Sequence, residues 1–311
     1  MELRQLAAIL AVADHGTFSA AADALGTVQS NVSTHVARLE RELGAPLFDR
    51  SRGALTEEGV AAVERARRVM AEIDALVADV AALRNVYTGH VRLGMIGTTA
   101  RWLAPKLLQV VAERHPGVHL GVFEGSSAEL SGRLLAGRLD MAVSMFPVGD
   151  GDLVAQTLFD EDLVLVVSRD DSLSHRREIP MAEVRQIPML LPMPGTVYRA
   201  ELDAAFGGGR HGGAGLVAKA EVDGVRLIAS LTFDGNGPAI LPASAVPDYL
   251  RDQWVAVAIP GMARRRVGLM TRRRGLLSAP GRAVRDLLLQ VVSAQVASGR
   301  VGIYPPAGAP A

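Results

Sequence analysis

Apolar positions at the start of the chain recur at helical spacing. Leu3, Leu6, Ile9, Leu10 and Ala13 form one stripe between Met1 and about His15 and predict a first helix. An alanine-rich helix follows, about Ser19 to Leu25, ending at Gly26, a residue suited to the left-handed backbone that closes a helix. A third runs from about Gln29 to Leu43. Its apolar residues Val32, Val36, Leu39 and Leu43 are spaced four, three and four apart and fall on one narrow, inward face. Gly44 and Pro46 stop that helix, and PLFDRSRGALT reads as two short strands around Ser51 to Gly53.

From Glu57 to about Leu83 there is no proline and the only glycine is Gly59. Val63, Ala66, Met70, Ile73, Val77 and Val80 alternate spacings of three and four, a heptad seam that calls for a partner helix. The reading is a dimerisation helix carrying Val63, Met70, Ile73, Val77 and Val80; the alternative is a helix packed on its own domain. Asn85 to Gly89 makes a hinge. From Val91 the pattern changes to strands alternating with helices: VRLGMIG, a helix from Trp102 to Arg114, VHLGVFE, a helix from Ala128 to Gly137, then MAVSM. A second run follows, with LVLVVS, MLLP, Tyr198 to Phe206, LVAKAEV, Val225 to Leu231, AILP and a helix near Pro247. VAVAI and RVGLMT precede a last helix, Pro280 to Ala297. Strand-helix-strand repetition predicts a doubly wound parallel α/β sheet in each of two lobes, with a crevice between them.

The free side of the third helix carries Ser30, Ser33, Thr34 and Ala37, with Gln29 near its start. Small polar side chains on a short helix one tight turn after another fit a recognition helix in a DNA major groove, where Gln pairs with adenine and Ser or Thr with either base type. An ordinary amphipathic helix with a solvated face is the competing reading. Arg50 and Arg52 in the hairpin are the natural phosphate or minor-groove contacts, or are simply solvated.

Charge argues against bulk phosphate neutralisation. Formal net charge is zero, and in the first sixty residues Arg4, Arg38, Arg41, Arg50 and Arg52 are outnumbered by acids. Such a head must rely on few, well-placed contacts and on more than one copy. A hydrophobic content of 49% suits large cores, and no run reaches membrane-spanning length; with no secretion signal read at the N-terminus, a soluble, cytoplasmic protein is expected. There is no cysteine, which excludes disulfides, thiol catalysis and thiolate metal sites.

An enzyme reading finds little. The seven histidines are scattered, with no His-x-x-x-His and no carboxylate at ligand spacing, so His175 and His211 read as surface residues and neither metal nor cofactor is expected. The runs Arg264 to Arg266 and Arg272 to Arg274 are either an anion site or solvated strand ends. The glycine-rich stretch Gly207 to Gly215 lacks the ending of a phosphate loop and reads as a mobile surface loop. The tail from Ser298 is expected to be disordered.

Read as a pattern, AAADALG, QSNVSTHVARLERELGAPLFDR and LTEEG resemble the winged helix-turn-helix of LysR-type transcriptional regulators. GHVRLG, the LAP of Leu103 to Pro105, HPGVHL, LLAGRLDMAVS and GNGPAILP carry the resemblance into that family's effector-binding domain, a fold shared with periplasmic solute-binding proteins. It implies a winged helix-turn-helix over 1–58, a linker and dimerisation helix with hinge over 59–89, and an effector-binding domain over 90–297. Lobe I would hold about 90–161 and 266–297, lobe II about 162–265, and 298–311 the tail. DNA contacts fall on Gln29, Ser30, Asn31, Ser33, Thr34, Arg38, Arg50 and Arg52. Val28 stands where the family usually has a Ser or Thr cap, so Thr27 is expected to cap; Thr34 replaces an Arg common in the family. The resemblance also implies a homotetramer, a dimer of dimers on an operator. A solute-binding protein without DNA function is the alternative, opposed by the N-terminal helices; a purely structural helical dimer is opposed by the two lobes.

In open α/β sheets ligands bind at the carboxyl ends of strands. That places Thr98 and Thr99, which precede the expected helix at Trp102, and Ser126 and Ser127 at the crevice, where helix starts favour an anion unless the hydroxyls act only as caps. Met145, Phe146, Val222 and Asp223 complete the expected wall. Asp223 suits an ammonium or hydroxyl, so a small carboxylate such as an amino or hydroxy acid is the expected effector.

Overall fold

In the computed structural model, residues 1–49, 51–146, 151–207, 215–246 and 252–306 are described. Helices α1 (Leu3–His15), α2 (Phe18–Ala24) and α3 (Gln29–Leu43) bury Leu6, Ile9, Val12, Ala21, Val32, Val36 and Leu39 in one small core. Each large aliphatic side chain so buried contributes about 1.5–3 kcal/mol of transfer free energy. Thr17 Oγ1 caps α2 by accepting from the Ala20 amide at 3.1 Å. Leu43 departs from the expected inward face, because the helix is ending there and its side chain is 44% exposed. Strands β1 (Phe48–Asp49) and β2 (Ala54–Leu55) pair antiparallel as the expected hairpin.

Helix α4 (Glu57–Ala82) starts at Thr56, whose Oγ1 accepts from the Gly59 amide at 2.9 Å. A Cβ on Gly59 would lie 1.9 Å from the Leu47 carbonyl oxygen, so only glycine lets this helix press against the first core. The expected seam divides here. Val63 and Ala66 are buried in the N-terminal core and Met70 packs at its edge, so that half faces its own chain. Ile73 is half-buried, while Val77 and Val80 are exposed. The apolar row left open is Val69, Leu76, Val80 and Leu83 with Ile73 between them, again at spacings of four and three. The other side of α4 rests on the following domain, where Arg68 Nη2 donates to the Leu135 carbonyl at 2.5 Å and Asp79 Oδ1 accepts from the Ala279 amide at 2.6 Å.

Beyond the hinge, where Asn85 takes a left-handed φ of 58°, the first lobe contains β3 (Gly89–Met95), α5 (Gly97–Arg114), β4 (Val118–Glu124), α6 (Ser127–Leu135), β5 (Met141–Met145) and β6 (Leu153–Glu161). The second contains β7 (Leu163–Ser168), a short turn of helix α7 (Met181–Val184), β8 (Met189–Pro192), α8 (Val197–Ala205), β9 (Ala218–Val222), α9 (Val225–Phe233), β10 (Ala239–Pro242) and β11 (Trp254–Val257). The chain returns through β12 (Arg265–Arg272), α10 (Ala279–Ala297) and β13 (Ile303–Tyr304). The two-lobed α/β architecture is the expected one, but strand pairing is mixed. A six-stranded sheet runs β13-β6-β12-β5-β3-β4, with β3 parallel to β4 and β5 and the pairs β12–β5, β12–β6 and β13–β6 antiparallel. Lobe II splits into antiparallel β10-β7-β11 and a parallel β8-β9 pair. The reason is that β6 and β12 cross between the lobes in opposite directions.

Two further expectations change. Helix α5 begins at Gly97 rather than Trp102, so Thr98 and Thr99 sit in its first turn. The segment after Ser298 is ordered through Tyr304: β13 pairs Ile303 with Glu161 and Tyr304 with Asp160, and the Tyr304 hydroxyl donates to Asp162 Oδ2 at 2.7 Å. The expected helix near Pro247, His211 and most of the glycine-rich stretch lie outside the described residues. None of the described helices is long and apolar enough to cross a membrane.

The crossing strands are held by charge. Arg264, Arg265 and Arg266 pair with Asp162, Glu161 and Asp160 at 3.0, 2.5 and 2.9 Å, so the first arginine run is neither an open anion site nor merely solvated. The middle pair is buried, with Arg265 4% and Glu161 0% exposed. Glu161 Oε2 also accepts from the Ser244 amide at 2.9 Å. Nearby, Glu201 Oε2 is buried without a hydrogen-bond partner, and burial raises its carboxyl pKa while the Arg265 charge opposes the rise.

Two outcomes follow from this packing. Leu76→Glu with Val80→Glu should leave the melting temperature of the isolated chain nearly unchanged, as surface changes cost within about 0.5 kcal/mol, whereas Val63→Asp buries an unpaired charge and should lower it by many degrees in thermal denaturation. For Glu201, a folded pKa above the ordinary 4.5 means the folded chain holds this proton more tightly than the unfolded chain. Its stabilising contribution is therefore full below the ordinary value and lost as pH rises through the raised one. Melting curves of Glu201→Gln should lack that downward slope and lie above wild type at neutral pH.

Candidate functional site

On α3, Gln29, Ser30, Asn31, Thr34 and Arg38 are exposed and Ser33 is half-buried. Thr34 Oγ1 donates to the Ser30 carbonyl at 2.8 Å, which holds it against the helix. Thr27 does not cap. Its Oγ1 accepts from Asn31 Nδ2 at 3.0 Å, and the N-cap is Val28, which has no side-chain hydrogen bond to offer. The first amides of α3 therefore point outward without a side-chain partner, and the positive end of the helix dipole is open to a phosphate. In the hairpin, Asp49 Oδ1 accepts from the Ser51 amide, Ser51 Oγ and the Arg52 amide, which lowers its pKa and fixes the turn. Arg52 extends from that turn, 85% exposed and 3.6 Å from Asp49. Arg50 lies outside the described residues.

Between the lobes is a cavity of about 650 Å³. Four helices begin on its wall: α5 at Gly97 and Thr98, α6 at Ser126 and Ser127, α8 at Thr196 and Val197, and α9 at Gly224 and Val225. Ser126 Oγ and Thr196 Oγ1 cap their own helices, accepting from the Glu129 and Arg199 amides at 3.3 and 3.2 Å. Ile96 and Gly224, the N-caps of α5 and α9, offer no side-chain bond, so the first amides of those two helices remain to be satisfied from the cavity.

Two arginines flank this space. Arg226, on α9, forms an ion pair with Glu124 at the end of β4 and so links lobe II to lobe I across the opening. Gly97 lies beneath that pair; a Cβ there would be 2.6 Å from Glu124 Oε1 and 2.9 Å from Arg226 Cδ. Arg265 lies deeper and is largely occupied by Glu161. Its Nη2 donates to Thr98 Oγ1 at 3.3 Å, its Nη1 lies 3.0 Å from Met145 Sδ, and its guanidinium carbon is 5.8 Å from the Tyr198 ring centroid. Burial raises the Tyr198 phenol well above its ordinary pKa, and its hydroxyl donates to the Ile240 carbonyl at 2.8 Å. Glu129 and Asp223 add negative charge at the wall, the former paired with Arg133 at 3.0 Å.

Of the expected effector residues, Thr98, Ser126, Ser127, Met145 and Asp223 line the cavity. Three do not. Thr99 is fully buried beneath it with an unbonded Oγ1, because a helix starting at Gly97 turns successive side chains to different faces. Phe146 lines a separate space of about 360 Å³ with Asp160, Glu201 and Arg264 to Arg266. Val222 ends β9 without facing the cavity, so only Asp223 beyond it does. Sequence reasoning missed Glu124, Thr196 and Arg226, and singled out Arg265 only within the run Arg264 to Arg266. Thr196 was findable as a cap after Pro194-Gly195, but the others are defined by partners about a hundred residues away in the chain.

The comparisons with known proteins bear on the family. Residues 3–60 match the family model described as bacterial regulatory helix-turn-helix protein, lysR family, and residues 84–293 the LysR substrate binding domain. A probable hydrogen peroxide-inducible genes activator of Streptomyces viridosporus is 37% identical over 78% of each chain. The nitrogen assimilation regulatory protein nac of Klebsiella aerogenes is 30% identical over 94% of this chain and 96% of its own. Among solved structures, a full-length OxyR of Pseudomonas aeruginosa carrying a cysteine-to-aspartate change covers 94% of each chain with a TM-score of 0.74 at 24% identity, a likeness of fold. With both family models matched in order and relatives of this identity along its length, the chain belongs to the LysR family of bacterial regulators and is a DNA-binding transcription regulator rather than an enzyme.

Proposed function

We propose that this regulator's action at its operator is set by a small organic anion held between the lobes. The observation that carries the reading is the convergence of four helix starts on one cavity, two of them without side-chain caps, beside Arg226. Unsatisfied amides and helix dipoles favour negative charge, each terminus by roughly 0.3–1 kcal/mol where exposed and up to about 2 where partly buried. Glu124 and an incoming carboxylate would compete for Arg226, so binding exchanges the link between the lobes for one made through the ligand. Asp223 on the same wall suits an ammonium or hydroxyl, which makes an amino or hydroxy acid the preferred class.

Hydrogen peroxide is the second reading, favoured by the name of the Streptomyces relative. Against it stands the chain itself, which has no cysteine, so no thiolate is present to be oxidised and no disulfide can form. The nac relative, at lower identity but over more of the chain, carries a different name.

The DNA head carries an excess of acids over arginines, which supports binding as a dimer in which the second head acts at high effective concentration. The open row of Val69, Leu76, Val80 and Leu83 on α4 is the surface proposed to pair two chains, with effector domains joining dimers into a tetramer. The working place of such a protein is the cytoplasm, where the operator lies.

Thermal-shift titration of the purified chain against small carboxylates should find a stabilising ligand, worth about 2.7 kcal/mol at a hundred times Kd. Arg226→Gln should weaken that ligand by about tenfold to a hundredfold, the worth of a charge-assisted hydrogen bond. Peroxide added alone should leave operator binding unchanged in a gel-shift assay; a peroxide-driven change would overturn the anion reading. Footprinting should show two protected half-sites spaced by helical turns. Leu76→Glu with Val80→Glu should abolish dimers in light scattering and reduce protection to scattered, weak sites, while Gln29→Ala should relax base preference by about 1–3 kcal/mol at one position.

A further inference from the structure

A third cavity, of about 340 Å³, lies where the end of β12 and the start of α10 meet β6, and it shares no lining residue with the interlobe crevice. Three guanidiniums line it: Arg272, Arg282 and Arg285. The carboxylate on its wall, Asp140, is already engaged, accepting from the Arg92 amide at 2.7 Å and Arg92 Nη2 at 3.1 Å. Arg282 and Arg285 have acidic neighbours outside the wall, Asp79 at 3.4 Å and Asp286 at 2.8 Å, both in exposed pairs of little net strength.

Arg272 differs. Its Nη1 donates to the Leu134 and Leu139 carbonyls at 3.0 and 2.7 Å, and among the described residues it forms no ion pair. Burial depresses its pKa, with Arg68 and Arg92 adding to the effect and Asp140 and Glu72 opposing it. A half-buried cation whose direct hydrogen bonds go to neutral carbonyls is only partly compensated, and a counter-anion at its side would relieve the remaining cost. The rest of the wall is mixed: Val154, Leu269, Leu276 and Leu277 supply apolar surface, and Gln156 and Thr271 supply polar side chains.

The geometry points to a second anion site at this position, for a compact organic anion with an apolar body, such as an aromatic carboxylate. Its carboxylate meets Arg272, Arg282 and Arg285, and its body covers the leucines. Occupancy reaches the linker helix directly. Arg282 Nη2 holds Asp79 Oδ1 of α4, the same oxygen that accepts from the Ala279 amide at the start of α10. An anion that draws Arg282 inward weakens one of the contacts by which lobe I rests on α4. The site is independent of the crevice reading, since Arg226 takes no part in it.

Isothermal titration of the full chain with benzoate tests the site, using benzamide as the neutral isostere and sulfate as an anion without an apolar body. Benzoate binding is expected, with benzamide and sulfate at least tenfold weaker. Arg282→Gln with Arg285→Gln should weaken benzoate by tenfold or more, and Arg226→Gln should leave this binding unchanged. Asp79→Asn, which frees Arg282 without touching the wall, should tighten it several-fold and guards against a double variant that fails to fold. Benzamide binding as tightly as benzoate, undiminished binding in the double variant, loss in Arg226→Gln instead, or no heat at millimolar benzoate would each overturn the proposal.

Discussion

The buried pair of Arg265 and Glu161 sets the relation of the two lobes. These residues face each other across antiparallel β12 and β6, at the point where both strands leave one lobe for the other. A buried ion pair adds little net stability compared with apolar packing, but removing one partner leaves an unpaired charge and costs about 3–5 kcal/mol. Its effect is therefore on the crossing itself: neither residue can be lost or turned away without leaving the other buried and unpaired. The flanking pairs, Arg264 with Asp162 and Arg266 with Asp160, are more exposed and tie the same two strands, and β13 pairs with Glu161 and Asp160 from the far edge.

From this fixed crossing the cavity follows. Arg265 spans from the crossing strands to Thr98 in the first turn of α5, so the hinge and the cavity share a side chain. The helices of lobe I and lobe II that begin at the cavity come from strand ends facing each other across it, the arrangement in which open α/β sheets bind ligands. Arg226 and Glu124 are the contact that ties the lobes at the opening, and unlike Arg265 and Glu161 they are exposed, with relative accessibilities of 57% and 43%. One pair is thus shut away from solvent and the other open to it.

The DNA-binding end follows a different economy. An acidic head with an uncapped recognition helix relies on geometry, not on bulk charge. Arg67 binds Asp14 through two hydrogen bonds of 3.1 and 2.6 Å and, with Gly59 against Leu47, fixes the linker helix to that head. The same helix rests on α10 through Asp79. A shift of lobe I therefore has a rigid element through which to reach the head.

Local order was legible in the sequence by itself. The four-three-four spacing of α3, the uninterrupted run of α4 and the alternation of strands and helices after the hinge are properties of neighbouring residues, and the motifs they carry identify the family. Caps were less legible, since Thr27 and Val28 both sit at the start of α3 and only backbone geometry decides which serves. Which face of α4 remains free was decided by tertiary structure, because Val63 and Ala66 satisfy the heptad pattern and the needs of the first core equally well. The same holds for the arginine runs. Arg264 to Arg266 find their acids 102 to 106 residues earlier in the chain, and periodicity, being local, carries no information about a partner at that distance.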